Sequence, residues 1–375
     1  MAKLSSTLKR KPRVLFVSAD TYGCGFYRCF MPGYFLQEQN LCETRISGLG
    51  GEVENEHIDW ADVIIFQRIF AFKNTAWHYA TLQGKRILTE NDDLYSHVPA
   101  GSMAKRHFPK EVVNGIHQTM RMSDGITVTT DKLKEAYGNW GVEATVVPNA
   151  LDMRIDHFYP NPMQTKGKII IGYHGSATHT VDFSATVAAM DTVMQKYPFL
   201  RIHALGFLPE QIVKKYPLRI TIRPWVTLHK FFNEIRALQT YIGIAPIDDC
   251  QFNHAKSNLK LIEYATIRTP WIASKVGPYI KITEESGGGL LVKNKYKDWL
   301  RAFEKMINMP HSQRQEMGLK ARKYVEKNFD ITKVATLWFE TIQKAMNKPI
   351  NQKRVKAFEN IMFNRRATST FKQIV

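Results

Sequence analysis

Apolar residues fall along this chain in short blocks that alternate with stretches of helical spacing. Val14–Ala19 is a β-rich run that stops at Asp20, and Tyr27–Gln39 then repeats apolar positions at three- and four-residue intervals. Further strands are predicted at Asp62–Gln67, Arg86–Thr89, Gly125–Thr129 and Glu143–Val147. Helices are predicted between them at Lys73–Leu82, Lys105–Met122 and Asp131–Trp140, the last with Thr130 as its N-cap. The pattern pauses around 149–167, where Pro160, Pro162 and Gly167 mark a linker, and then restarts. Strands follow at Lys168–Tyr173, Leu200–Leu205, Arg219–Arg223, Tyr241–Ala245, Trp271–Ser274 and Leu290–Val292. Helices are expected at Val181–Tyr197, Pro209–Tyr216, Leu228–Leu238 and Ser257–Arg268, and three more close the chain: Lys297–Ile307, Ser312–Lys327 and Thr332–Met346. This alternation predicts an α/β chain of two Rossmann-like domains with parallel, doubly wound sheets facing a central cleft. The expected divisions are 1–155, a linker at 156–167, 168–332, and a tail at 333–375 that crosses back to the first domain.

Composition adds limits. With 375 residues, 44% hydrophobic and 23% charged, the chain is globular and longer than one ordinary domain. No apolar run approaches the roughly 20 residues that span a membrane, and the N-terminal run is too short for a signal-peptide core, so a cytoplasmic location is expected. The four cysteines form no CxxC pair, which argues against structural zinc or a disulfide framework.

Charge changes the picture more. The net charge is +18, and the segments 1–13 and 344–375 together hold twelve of the excess positive charges. Solvated tails explain such ends without any partner; a polyanion, either nucleic acid or an anionic membrane surface, explains them with one. Lys105, Arg106, Lys110 and Arg121 lie on a single predicted amphipathic stretch and extend the candidate polyanion surface.

Candidate chemistry concentrates between Ile242 and Pro278. After a strand ending at Pro246, a polar loop leads into a helix predicted to start near Lys256–Ser257, with Lys256, Lys260 and Glu263 at i, i+4 and i+7 on one face. A helix N-terminus carrying a serine and a lysine suits a phosphate, and a carboxylate one turn on suits sugar hydroxyls. The same residues also make an ordinary solvated helix with a Lys260–Glu263 surface pair.

The run Lys256-Ser257-x-x-Lys260-x-x-Glu263-Tyr264, followed by Thr269-Pro270 and a strand, resembles the nucleotide-sugar-binding region of the large, mostly retaining family of GT-B glycosyltransferases. The resemblance implies that Glu263 holds the donor ribose and that the helix end near Ser257 and Asn258 faces the diphosphate. Where many members of the family carry Glu-x7-Glu, this chain has Ala255 in the first position.

A second match, Gly175-Ser176-x-x-His179-x-x-Asp182 after a strand, resembles the opening of the same binding domain and adds Gly175, Ser176 and His179 to the donor site. No arginine follows it before residue 200, so Lys256 is expected to supply most of the charge opposite the diphosphate. Trp225 and Val226 resemble the segment that reads the nucleotide base, and Gly287–Val292 resembles a structural strand entry. In the first half, Gly23 and Gly25 follow the first strand, and the resemblance turns this loop toward the donor, with Arg28 placed to bind the diphosphate. Asp92 and Asp93 follow a strand and are candidates to orient or deprotonate the acceptor hydroxyl, Asp93 preferred. Adjacent aspartates are not the Asp-x-Asp of metal-dependent enzymes, and no metal or other cofactor is expected.

The function implied is transfer of a sugar, with retention, from a nucleoside-diphosphate donor such as a UDP-sugar to a hydroxyl. For the acceptor, duplex DNA with hydroxymethylated bases, as modified by bacteriophage enzymes of this fold, is preferred to a lipid or surface polysaccharide at an anionic membrane. A non-catalytic, nucleic-acid-binding relative is a further alternative, supported by Ala255 alone.

Overall fold

A computed structural model describes residues 10–48, 53–69, 73–154 and 167–360. Their strands form two parallel sheets of six. The first contains β1 (Arg13–Val17), β2 (Glu43–Ser47), β3 (Val63–Gln67), β4 (Arg86–Asn91), β5 (Gly125–Val128) and β6 (Thr145–Val146), in the order β2-β1-β3-β4-β5-β6. The second contains β7 (Ile169–Gly175), β8 (Leu200–Gly206), β9 (Ile220–Arg223), β10 (Ile242–Ala245), β11 (Trp271–Ser274) and β12 (Gly289–Val292), in the order β12-β11-β10-β7-β8-β9. Central strands such as β3 and β10 are buried along their whole length, as strands covered by helices on both faces must be. That is why they read as continuous apolar runs. β2 was not predicted: it is an edge strand of alternating polar residues, only partly buried, with no apolar run to announce it.

The described residues divide into two units. One comprises the chain up to Asp92, Lys110–Val147 and the chain from Val334; the other comprises Asp93–Pro109 and Pro148–Lys333. The first division therefore falls at 147/148, not at 155, and residues 93–109 belong to the second unit. The core of the second unit packs Trp299, Phe303 and Met306 of helix Tyr296–Asn308 with Met190 and Val193 of helix Thr186–Lys196 against the sheet. In the first unit, Trp338 from helix Ile331–Met346 is fully buried, with its ring edge-on to Phe16 of β1. Further on, Arg354 pairs with buried Asp124 at 2.8 Å and donates to the Lys85 carbonyl. No helix among the described residues is long and apolar enough to cross a membrane.

Arg28 is placed differently from the expectation. It lies in a stretch of wide helical turns (Phe26–Phe30) and is only 1% exposed. Its guanidinium grips the Glu90 carboxylate with two bonds of 2.8 and 2.9 Å, donates to the Val147 carbonyl at 2.8 Å, and stacks on Trp338. Thr127 also donates to Glu90. A side chain spent in this way ties β4, β5 and helix Ile331–Met346 to the turns of Phe26–Phe30, and is not presented to a diphosphate. A buried pair adds little net stability over an apolar pair, yet removing one partner strands a charge in the interior. Arg28→Met is therefore expected to lose about 3–5 kcal/mol in urea unfolding, with much of the loss recovered in Arg28→Met/Glu90→Met. A loss below about 1 kcal/mol in the single variant would refute this role.

Candidate functional site

Sheet topology selects the place to look. In the second sheet β7 lies beside β10, although two strands separate them in sequence; helices after β7 lead one way and helices after β10 the other. In such sheets, ligands bind outside the carboxyl ends of the strands at this switch point.

Helix Leu259–Thr266 is fixed there by Tyr264, whose buried hydroxyl lies within donating distance of two carbonyls, Gly172 of β7 at 3.0 Å and Ile244 of β10 at 2.9 Å. Next to it, Glu263 is 6% exposed and meets Nε2 of buried His174, at the end of β7, at 2.8 Å. Burial holds the His174 imidazole below its ordinary value, against the opposing pull of Glu263. A neutral ring facing a carboxylate donates its Nε2–H, which fixes the carboxylate's orientation. One turn earlier, Lys260 donates to the His174 carbonyl and sits 4.6 Å over the Tyr173 ring. Burial, reinforced by the charge of nearby Lys256, lowers the Lys260 ammonium to about 8, while Glu263 and Asp182 resist the shift. The result is a poorly solvated ammonium at the end of β7, beside a helix whose N-cap, Asn258, makes no side-chain capping bond. An anion placed there gains both the charge and the first-turn N–H groups.

The predicted residues separate into those the fold brings to this point and those it does not. Gly175 ends β7; a Cβ there would lie 2.4 Å from the Tyr173 hydroxyl and 3.2 Å from the Lys260 Nζ, so only glycine leaves the space open. Ser176 follows, exposed, ahead of the 3-10 turn Ala177–Phe183. The side chain of His179 lies outside the described residues. Ser257 accepts from Asn149 at 3.0 Å. Trp225, 39% exposed, follows β9 with its ring against Gly206 and 5.8 Å from Phe231, and Val226 is half-buried beside it. Lys256 is not on the helix of Lys260 and Glu263. It caps the separate helix Gln251–Ala255 in an extended conformation, with its ammonium 4.8 Å over the Phe252 ring. Asp182 is buried and accepts from the Asp248 amide and Asn253, which makes it a brace for the loop after β10.

His174 was missed by the sequence reading. Its signal was available: a histidine in an otherwise apolar strand, one residue before that strand's carboxyl end.

The first sheet has its own switch point, between β1 and β3. Asp20, after β1, pairs with Arg68, which follows β3 directly and has a left-handed backbone at φ +48. Arg68 was also missed, although an arginine at a strand's carboxyl end in this fold is a signal in itself. Asp20 accepts from the amides of Tyr22 at 2.8 Å and Gly25 at 3.0 Å, so the Gly25 N–H is not presented to a ligand; Gly23 is half-buried. Asp92, 8% exposed, lies 4.0 Å from Arg68. Asp93 is half-buried and begins the second unit. The expected basic stretch is also divided. Lys105 and Arg106 lie on the 3-10 turn Met103–His107 of the second unit, and Lys110 and Arg121 lie on helix Lys110–Met122 of the first. Pro109 separates the two, so the four cations do not share a helix face. Among the described residues, no three His, Cys, Asp or Glu side chains converge as a metal site would require.

No protein-family model and no curated protein sequence matches this chain. Solved structures do. A sucrose-phosphate synthase from Thermosynechococcus elongatus superposes with a TM-score of 0.63 at 15% identity, covering 89% of this chain and 99% of its own. HepE of Anabaena, solved with UDP and glucose, gives 0.61 at 11% identity, covering 88% and 99%. A glycosyltransferase from Rickettsia africae gives 0.61 at 12% identity, covering 91% and 100%. At such identities the likeness is one of fold, and the fold is GT-B.

The lowered Lys260 has a measurable cost. Its folded value of about 8 lies below the ordinary 10.5, so the folded protein gives up this proton before the unfolded chain does. Stability is reduced below about pH 8 and recovers as pH rises from there toward 10.5. Lys260→Met is expected to be more stable than the parent at pH 7 by about 1–2 kcal/mol, allowing for the lost bond to the His174 carbonyl, with the gap closing near pH 10. A variant less stable than the parent across that range would refute a strained ammonium.

Proposed function

We propose that the chain is a glycosyltransferase that moves a sugar from a nucleoside-diphosphate donor, taken as a UDP-sugar, to a hydroxyl. One observation carries the reading: at the switch point of the second sheet, the helix after β10 places the Lys260 ammonium and the Glu263 carboxylate one turn apart beside the open end of β7. Lys260, with Lys256 behind it and the uncapped helix end, stabilises the charge that develops on the leaving diphosphate. Glu263, oriented by His174, accepts from the ribose hydroxyls, and Trp225 offers an exposed face to the base. This reading assigns no role to a metal, because these groups supply the positive charge. HepE, in its solved complexes, binds UDP and glucose or UDP-glucose, which supports the donor class.

Retention of configuration belongs to the proposal through the family resemblance. For the acceptor we infer duplex DNA carrying hydroxymethylated bases. The support is the charge of +18 and its concentration at the two ends of the chain. Asp93 is preferred over Asp92 for the acceptor hydroxyl.

UDP is expected to raise the unfolding temperature of the parent. Glu263→Gln keeps an acceptor for His174 but loses the charge, and is expected to bind UDP about 10–100-fold more weakly. Pooled nucleotide sugars with DNA containing 5-hydroxymethylcytosine then test transfer, read by mass spectrometry of the digested nucleosides. A sugar mass on the modified nucleoside supports the full reading. Donor turnover with untouched DNA keeps the donor assignment and removes the acceptor. No protection by UDP or any other nucleoside diphosphate refutes both.

A further inference from the structure

At the edge of the second sheet, β12 and helix Tyr296–Asn308 border an open cavity of about 910 Å3. Six exposed cations line it: Lys275, Lys293, Lys295, Lys297, Arg301 and Lys305. Asp298 is the one carboxylate in the lining, 3.9 Å from Arg301. Solvated lysines on a surface need no explanation, but the placement of these does. Lys295 is the helix N-cap and makes no side-chain capping bond, and Lys297 lies in the first turn, where the helix dipole disfavours positive charge. Lys297, Arg301 and Lys305 follow at four-residue intervals, where like charges repel. They form a stripe rising by about 6 Å per step on one helix face. Lys305, in the last turn, suits the dipole, but the lysines at the N-terminus and the four-residue repeat set like charges together, and an anion along the stripe relieves both. A linear array of regularly spaced cations matches a phosphodiester backbone, whose charges recur along a line. Half-buried Leu290 and Leu291 lie among these cations in the lining.

We propose that this cavity is a docking site for the phosphate backbone of duplex DNA, separate from the donor-binding residues. The site lies at the carboxyl end of β12, with β11 and β10 between it and β7, on the order of 15 Å from the donor residues at the usual strand spacing. It holds an acceptor strand without reading its sequence, as phosphate contacts do. The inference rests on the acceptor being DNA.

The test measures binding of the full chain to a short labelled duplex across a salt series. Each phosphate contact contributes about 0.9 to the slope of log affinity against log salt, so Lys297→Ala/Arg301→Ala/Lys305→Ala is expected to lower the slope by about 2.7 and weaken binding at least about tenfold at 0.1 M salt. A control removes the same charge at Lys214, Lys281 and Lys320, each paired with a glutamate elsewhere on this unit; its slope is expected to change by less than about 1. Protection by UDP is expected to be unchanged in the stripe variant. Equal slopes for parent and stripe variant overturn the site, as does a parent that binds no duplex. Loss of binding to phosphatidylglycerol vesicles with unchanged DNA binding also overturns it and assigns the stripe to a lipid surface. If the slope falls but no sugar reaches modified DNA, the docking site stands and the acceptor assignment falls. If transfer occurs with an unchanged slope, the assignment stands and this site falls.

Discussion

The second unit depends on one buried hydroxyl. Tyr264 reaches carbonyls of both β7 and β10, the two strands that flank the point where the winding of the sheet reverses. Such a contact needs room, and the neighbouring sequence provides it. A Cβ on Gly243 would sit 2.7 Å from the Tyr264 ring, and one on Gly172 would sit 2.0 Å from the Thr240 hydroxyl. With the ring seated, the residues just before it have no freedom of register. Glu263 must lie beside His174, and Lys260, one turn earlier, must reach the end of β7. The chemistry of the site is thus a consequence of how one aromatic side chain locks a helix against two strands.

Two cations in this chain, Arg28 fully buried and Lys260 half-buried, show opposite solutions to one electrostatic problem. Arg28 is removed from water but receives a carboxylate in fork geometry, a backbone carbonyl and an aromatic face. Its charge is balanced internally, and its work is structural. Lys260 receives only a carbonyl and a ring face as direct partners; Glu263, one turn away, is already committed to His174. Its ammonium remains under-compensated, which is why burial lowers it to about 8. An anion bound there meets a charge that solvent has not already neutralised. A fully satisfied pair like that of Arg28 has nothing left to offer a ligand, so the less stable arrangement is the one suited to binding.

This contrast also explains what the sequence could and could not reveal. The strands were legible because parallel strands covered on both faces must be apolar throughout, and only polar, edge-lying β2 escaped. Glu263 was legible because its neighbours Lys256, Ser257, Lys260 and Tyr264 form a local pattern. Helix continuity through that pattern was not, since Lys256 adopts an extended conformation between two short helices and Lys260 takes the place expected of it. Arg28 was misplaced because the partner that decides its role, Glu90, lies 62 residues away. His174 carried a local signal in its strand, but its partner, 89 residues distant, did not. Local spacing identifies which residue types can do chemistry; whether a given charge is already spent depends on long-range partners that spacing does not contain.

The net charge of +18 needs the same distinction. Arg28, Arg354 and Arg322 are buried and bonded to carboxylates or carbonyls, so they count toward the formal charge without presenting it to a partner. Lys105 and Arg106 are separated from Lys110 and Arg121 by the division between units, so sequence proximity does not make them one surface. The cations around β12 are gathered by a single cavity with only one carboxylate among them. A polyanion is recognised by positive potential at particular points in space, and the total charge of a sequence becomes an argument about partners only after the internally balanced charges have been set aside.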